Sequence, residues 1–90
     1  MSKKIIWIIF HSDEWGKARF PAMTTSFASK VKKFLIKKIK EGECFYEDET
    51  LSKTKQIAKF KEDWKNCNRG EINSKLCFFY YDYYYDGEEI

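Results

Sequence analysis

The sequence has 90 residues, of which 43% are hydrophobic, 34% are charged and 19% are aromatic, and its formal net charge is +3. This length predicts one domain over residues 1–90, and this composition is typical of a globular chain rather than a disordered one. The three cysteines lack metal-ligand spacing and only one histidine is present, which argues against a disulfide framework or a metal site. We expect no cofactor.

The charge is divided into blocks along the chain. Residues 1–40 and 53–75 are basic, whereas residues 41–52 and 76–90 are acidic. Such blocks predict a surface that offers a basic face to one partner and an acidic face to another. The apolar run of residues 5–10 is too short for a secretion signal or a membrane span. We therefore expect a cytoplasmic protein with no membrane contact.

The first predicted element is a strand over residues 5–10. These residues are β-branched or aromatic without polar alternation, which is typical of a central strand covered on both faces. Residues 12–24 follow as a connection that contains Gly16 and Pro21, and residues 17–20 within it are a candidate short edge strand. Connections of this length are often functional.

A helix is predicted over residues 25–41, with Thr25 or Ser26 as its N-cap and Gly42 as the residue that ends it. Its apolar face consists of Phe27, Val31, Phe34, Leu35 and Ile39. A second face carries the lysine stripe, defined as Lys30, Lys33, Lys37 and Lys40. This stripe is a candidate site for phosphate groups, nucleic acid or an acidic protein, although most charged helix faces are only solvated surfaces.

A short strand is predicted over residues 44–46, and a second helix is predicted over residues 49–67. Asp48 is the expected N-cap of this helix, and residues 68–70 are expected to end it. The apolar stripe of the helix consists of Ile57, Phe60, Trp64 and Cys67. The stripe indicates that this helix packs one side against the sheet.

The last predicted strand covers residues 75–85 and precedes a short, polar, acidic tail over residues 86–90. Both of its faces are apolar or aromatic, because five of the six tyrosines lie between Tyr80 and Tyr85. The order β-(β)-α-β-α-β predicts an α/β fold, with α+β as the alternative. In this fold a three- to four-stranded sheet packs with two helices and contains a right-handed crossover.

Two helices cover about one face of such a sheet, so the apolar second face predicts a protein contact. We expect a homodimer, since two-fold dimers are the commonest oligomers, or a contact with a larger protein. The residues predicted for this interface are Phe79, Tyr81, Tyr83, Tyr85 and Trp7. Helices on opposite faces, or tyrosine hydroxyls that make the second face tolerable to water, are the alternatives. Base stacking by the tyrosines is disfavoured, because Asp82 and the acidic tail would repel a phosphate chain.

A cluster of His11, Asp13 and Glu14 follows the first strand, at the kind of sheet edge where ligands bind in open α/β folds. A histidine beside carboxylates is able to act as a general base or to hold a metal. A solvated turn explains the same residues, because no partner from another element is evident in the sequence.

These features favour a small, non-enzymatic protein-binding module. We expect an inhibitor or regulator that acts by contact with a larger protein or nucleoprotein machine. A short chain rich in lysine and aromatic residues is also typical of small phage and mobile-element proteins. The first alternative is a nucleic-acid-binding protein that uses the lysine stripe. The second is a small enzyme centred on His11, Asp13 and Glu14.

Overall fold

The computed structural model describes residues 4–12 and 19–86, and it has the mixed α/β class that the sequence predicts. In chain order, its elements are β1 (Lys4–Ser12), β2 (Arg19–Thr25), α1 (Ala28–Lys40), β3 (Phe45–Tyr46), α2 (Lys53–Asn66), α3 (Arg69–Lys75), β4 (Leu76–Cys77) and β5 (Phe79–Asp86). Within the two described ranges, no helix is long and apolar enough to cross a membrane.

The main sheet has three strands in the order β2-β1-β5, and both pairings are antiparallel. The predicted right-handed crossover is wrong, because the chain returns beside β1 in the opposite direction. The short strands β3 and β4 form a separate two-stranded sheet, in which Phe45 pairs with Cys77. The single strand predicted over residues 75–85 is divided at Phe78, whose positive φ of 76° turns the backbone between β4 and β5.

Strand β2 occupies much of the segment for which the sequence predicts a connection. The strand begins inside the candidate edge strand of residues 17–20, whose first two residues lie outside the described ranges, and it extends further than predicted. Pro21 is accepted within β2 because this strand lies at the edge of the sheet, where only one side needs ladder hydrogen bonds. Proline therefore marks the edge strand here and does not mark a loop.

The start of α1 lies later than the sequence predicts. Thr25 pairs with Trp7 as part of β2, so it is not available as the N-cap of a helix. Helix α1 begins at Ala28, and Phe27 is its N-cap residue, without a capping side-chain hydrogen bond. The prediction of Thr25 or Ser26 as the N-cap is therefore wrong, because strand pairing competes with helix capping at this position.

The end of α1 is the one that Gly42 predicts. Gly42 has a φ of +79°, and its N–H donates to the carbonyl of Ile39 at 3.1 Å. The N–H of Glu43 donates to the carbonyl of Lys38 at 3.0 Å. These two bonds form a Schellman motif, which favours glycine because the left-handed conformation brings a Cβ atom too close to the backbone.

Helix α2 begins at Lys53 with Ser52 as its N-cap, so the predicted start at residue 49 is wrong. Asp48 does not cap α2, because its carboxylate accepts from the N–H of Thr50 at 2.9 Å in a turn before the helix. Helix α2 ends at Asn66, immediately before the predicted stop at residues 68–70, and these residues begin a third helix, α3. Asn68 and Glu71 form a capping box at its start, a signal that the sequence contains but the prediction missed.

The helices cover one face of the main sheet. This covered face carries the odd-numbered residues of β1 and β5, of which Ile9, Phe79 and Tyr81 are buried. The helices add Val31, Leu35, Ile39, Phe60 and Ile72 to the same core. None of the even-numbered residues of β1 and β5 joins the core cluster. The expectation that β1 is covered on both faces is thus not met by the described helices.

Candidate functional site

Aromatic side chains from three elements converge on a groove at the end of the covered face. Its volume is about 600 Å³, which is within the range of small-ligand and peptide pockets. We define the aromatic groove by its main lining residues, Trp7, Trp64, Arg69, Tyr81, Tyr83 and Tyr85. No aspartate or glutamate lines it among the described residues.

The register of the sheet determines which side chains reach the groove. Trp7 is opposite Tyr83 on β1 and β5, and both side chains project from the covered face. Their ring centroids are 5.1 Å apart, and those of Trp7 and Tyr81 are 6.0 Å apart. Helix α2 supplies Trp64, whose ring centroid lies 5.4 Å from that of Tyr81. These contacts pack the four rings against one another.

Asn73 fixes α3 beside β5. Its amide Nδ2 donates to the carbonyl of Tyr81 at 2.8 Å, and its Oδ1 accepts from the N–H of Tyr81 at 3.0 Å. The side chain thus replaces the ladder bonds that another strand would make at this edge of the sheet. Because α3 is held here, Arg69 at its start reaches the aromatic groove.

Arg69 contributes the positive charge of the groove. Its guanidinium carbon lies 5.3 Å from the centroid of the Tyr83 ring, which is a cation–π contact. Its Nη1 atom also lies 3.1 Å from Oδ1 of Asp82, whose side chain belongs to the opposite face of the sheet. Burial raises the pKa of Tyr81 to about 12, with the nearby Arg69 charge opposing the shift, so its hydroxyl remains protonated at neutral pH.

The predicted interface residues separate into two groups. Trp7, Tyr81, Tyr83 and Tyr85 all line the aromatic groove, and the last two are 38% and 49% exposed. Phe79 lies elsewhere, in the core beneath α1, where its ring centroid is 6.0 Å from that of Phe34. The sequence analysis assigned Trp64 only to the apolar stripe of its helix and Arg69 only to the residues that end this helix.

The opposite side of the sheet forms the open face, defined as Ile6, Ile8, Phe10, Tyr80 and Tyr84. Tyr84 is 50% exposed, and the other four side chains are partly buried. Apolar patches of about 300–600 Å² are normal on monomers, whereas each partner of a standard interface buries about 800 Å². Homodimerisation through this face therefore stays a prediction.

The lysine stripe lies on the solvent-facing side of α1, opposite the buried Val31, Leu35 and Ile39. All four of its lysines are exposed. The Nζ atom of Lys30 lies 5.4 Å from the ring centroid of Phe27, which is 58% exposed. The stripe thus combines charge with an accessible aromatic ring, as nucleic-acid-binding surfaces do.

His11 lies at the mouth of a second cavity of about 630 Å³, which Lys38 and Glu43 also line. Its ring centroid is 4.8 Å from that of Phe79. The Nζ atom of Lys38 lies 2.9 Å from Glu43, so each group already has an ionic partner, and the hydrogen bond lowers the pKa of Glu43. Glu43 is close enough to His11 for an electrostatic interaction, but its carboxylate is already paired with Lys38.

The other predicted members of the histidine cluster, Asp13 and Glu14, lie outside the described residues. Within those residues no group of three histidine, cysteine or acidic side chains is able to hold a metal ion. The cysteines are free thiols, and burial raises the pKa of Cys44 to about 12, which leaves it unreactive. The enzyme interpretation centred on His11 therefore stays a prediction.

Comparisons of the chain with protein-family models, curated proteins and solved structures found no match.

Proposed function

We propose that this protein is a non-enzymatic binding module that acts as an inhibitor or regulator by holding a larger protein in its aromatic groove. The observation that supports this proposal is the convergence of five aromatic side chains and Arg69 on one groove. Tryptophan, tyrosine and arginine are the residue types that most often dominate binding energy at protein interfaces. Free thiols suit a reducing compartment, so the proposal includes a cytoplasmic location.

The preorganisation of the groove supports the same proposal. Binding costs less when the contact side chains are already ordered, because fewer rotamers are lost. Here Trp7 packs against Tyr83, and Arg69 is fixed between the Tyr83 ring and the Asp82 carboxylate. Tyr85 extends the surface, since its ring centroid lies 6.1 Å from that of Tyr83.

Site-specific photocrosslinking tests this proposal with a matched control. A benzophenone amino acid at residue 83 probes the groove, and the same group at residue 84 probes the open face one position away. Both tyrosines are exposed, at 38% and 50%. In a lysate of the source cell, we expect one identified protein to crosslink from residue 83 and not from residue 84. The additional change Arg69→Ala should remove this product, and equal crosslinking from both positions contradicts the proposal.

A second candidate function is nucleic-acid binding by the lysine stripe, which is favoured by the exposure of its four lysines and by the ring of Phe27 beside it. In a gel-shift assay, Lys33→Glu with Lys37→Glu should abolish a salt-dependent shift. Each phosphate contact contributes roughly 0.9 to the slope of log affinity against log salt concentration, so the lost contacts weaken both the affinity and its salt dependence. The matched control is Lys61→Glu with Lys65→Glu, two exposed lysines at the same spacing on α2. Equal effects of the two pairs remove this candidate.

A further inference from the structure

Three hydrogen-bond donors of the aromatic groove have no acceptor among the described residues. The indole N–H groups of Trp7 and Trp64 and the hydroxyl of Tyr81 make no hydrogen bond to any described residue. In the partly and fully buried residues of the described ranges, every side-chain nitrogen or oxygen that solvent cannot reach has a hydrogen-bond partner. Because these three groups have no such partner, solvent reaches each of them. All three residues line the groove, so a ligand there would lie beside side chains that still have a hydrogen bond to donate.

The charge of the groove selects the same kind of ligand. Arg69 is its charged lining residue, and the aspartate that pairs with Arg69 does not line the groove. The indole N–H groups of Trp7 and Trp64 add further positive ends of dipoles, whereas a tyrosine hydroxyl both donates and accepts. The complementary ligand is therefore rich in acceptors and has apolar bodies that pack on rings.

A proline-rich segment in the polyproline II conformation meets each of these requirements. Proline has no backbone N–H, so the segment brings few donors into the groove. Its carbonyl groups make no internal hydrogen bonds and remain available as acceptors. Its rings pack on aromatic side chains, and its preformed shape lowers the entropy cost of binding.

We propose that the aromatic groove binds a proline-rich segment of the partner protein, with peptide carbonyls accepting from Trp7, Trp64 and Tyr81. This proposal rests on the proposed function of the groove as a protein-binding surface. Arg69 adds a preference for a segment flanked by an acidic residue over one flanked by a basic residue. The ring of Tyr83 forms the centre of the apolar contact.

The test is an NMR titration of the full 90-residue protein with a proline decapeptide, and a Gly-Ser decapeptide serves as the control ligand. We expect saturable shifts of the indole N–H resonances of Trp7 and Trp64, which Trp→Phe variants assign, and no response to the control. Tyr83→Ala should weaken binding about tenfold or more, and Tyr84→Ala should leave it unchanged. Tyr81→Phe, which removes only the hydroxyl, should weaken binding roughly 2- to 12-fold.

Two results overturn the proposal. One is the absence of saturable shifts with the proline decapeptide, and the other is a shift of the same resonances by a single-stranded oligonucleotide in its place. If crosslinking from residue 83 still identifies a partner whose contact segment contains no proline, the proposed function stands and only the ligand class fails. If crosslinking from residue 83 also finds no partner, the proposed function fails with it.

Discussion

Replacing Tyr46 with phenylalanine removes one hydroxyl group from a buried carboxylate network. The Tyr46 hydroxyl donates to Oδ2 of Asp63 at 2.7 Å, and Nζ of Lys75 lies 3.0 Å from the same oxygen. Asp63 is only 5% exposed and Tyr46 is fully buried, so water does not replace the lost bond. A hydrogen bond to a charged group contributes about 1.5–3 kcal/mol, and we expect Tyr46→Phe to lower the free energy of unfolding by this amount.

Urea unfolding followed by circular dichroism measures this loss. For a domain of this size, the same loss lowers Tm by roughly 6–24 °C. The control is Tyr84→Phe, which removes an exposed hydroxyl and should change the unfolding free energy by less than about 0.5 kcal/mol. A loss below about 0.5 kcal/mol for Tyr46→Phe, with an unchanged denaturant slope, refutes the reasoning.

The same network makes a separate prediction about pH. The hydrogen bond from Tyr46, supported by Lys75, holds the pKa of Asp63 below its usual range. The folded protein therefore gains stability from this carboxylate above its unfolded pKa of about 3.9 and loses it as the pH falls through the lower folded value. Removal of the hydroxyl raises the folded pKa, so the dependence of stability on pH below about pH 4 becomes shallower in Tyr46→Phe.

Three further predictions concern the fold and the oligomeric state. Gly42→Ala should destabilise the protein by about 1–2 kcal/mol, because φ is +79° there. Gly70→Ala, inside α3, should stabilise it by up to about 1 kcal/mol. Urea unfolding compares the two variants, and equal effects contradict the Schellman assignment. Asn73→Ala should lower the free energy of unfolding by about 1–3 kcal/mol, since the backbone N–H and carbonyl of Tyr81 both lose their hydrogen-bond partner. Hydrogen exchange at the Tyr81 amide should become faster, and unchanged exchange contradicts the role of Asn73 in holding α3 beside β5. Light scattering at low micromolar concentration tests the predicted homodimer, for which it should give twice the monomer mass; the monomer mass contradicts it.

The strongly apolar parts of the fold could be predicted from the sequence. The run from Ile5 to Phe10 and the aromatic segment from Tyr80 to Tyr85 each form a strand, because β-branched and aromatic side chains fit a buried sheet. Gly42 marked the end of α1, since the motif there needs a left-handed residue. These signals are local and do not depend on which elements later meet.

The errors arose where tertiary contacts override local signals. Strand β2 contains Pro21, a residue type that usually indicates a loop in the sequence. Only the pairing of β2 with β1 shows that Pro21 lies in an edge strand. The direction of β5 relative to β1 could not be predicted from the sequence, because both faces of β1 are apolar and fit either a parallel or an antiparallel neighbour. The capping box of α3, formed by Asn68 and Glu71, is visible in the sequence but was not used in the prediction. Helix α3, which places Arg69 at the aromatic groove, was therefore not predicted.

The central claim is that the aromatic groove binds a partner protein and that the open face of the same sheet does not. The decisive measurement is the affinity of the purified partner, identified by crosslinking, for Tyr83→Ala and for Tyr84→Ala by isothermal titration calorimetry. The two exposed tyrosines are neighbours on opposite faces of the sheet, so each variant tests one face. We expect Tyr83→Ala to weaken binding about tenfold or more and Tyr84→Ala to change it less than about twofold. Equal losses for both variants, or a larger loss for Tyr84→Ala, would contradict it.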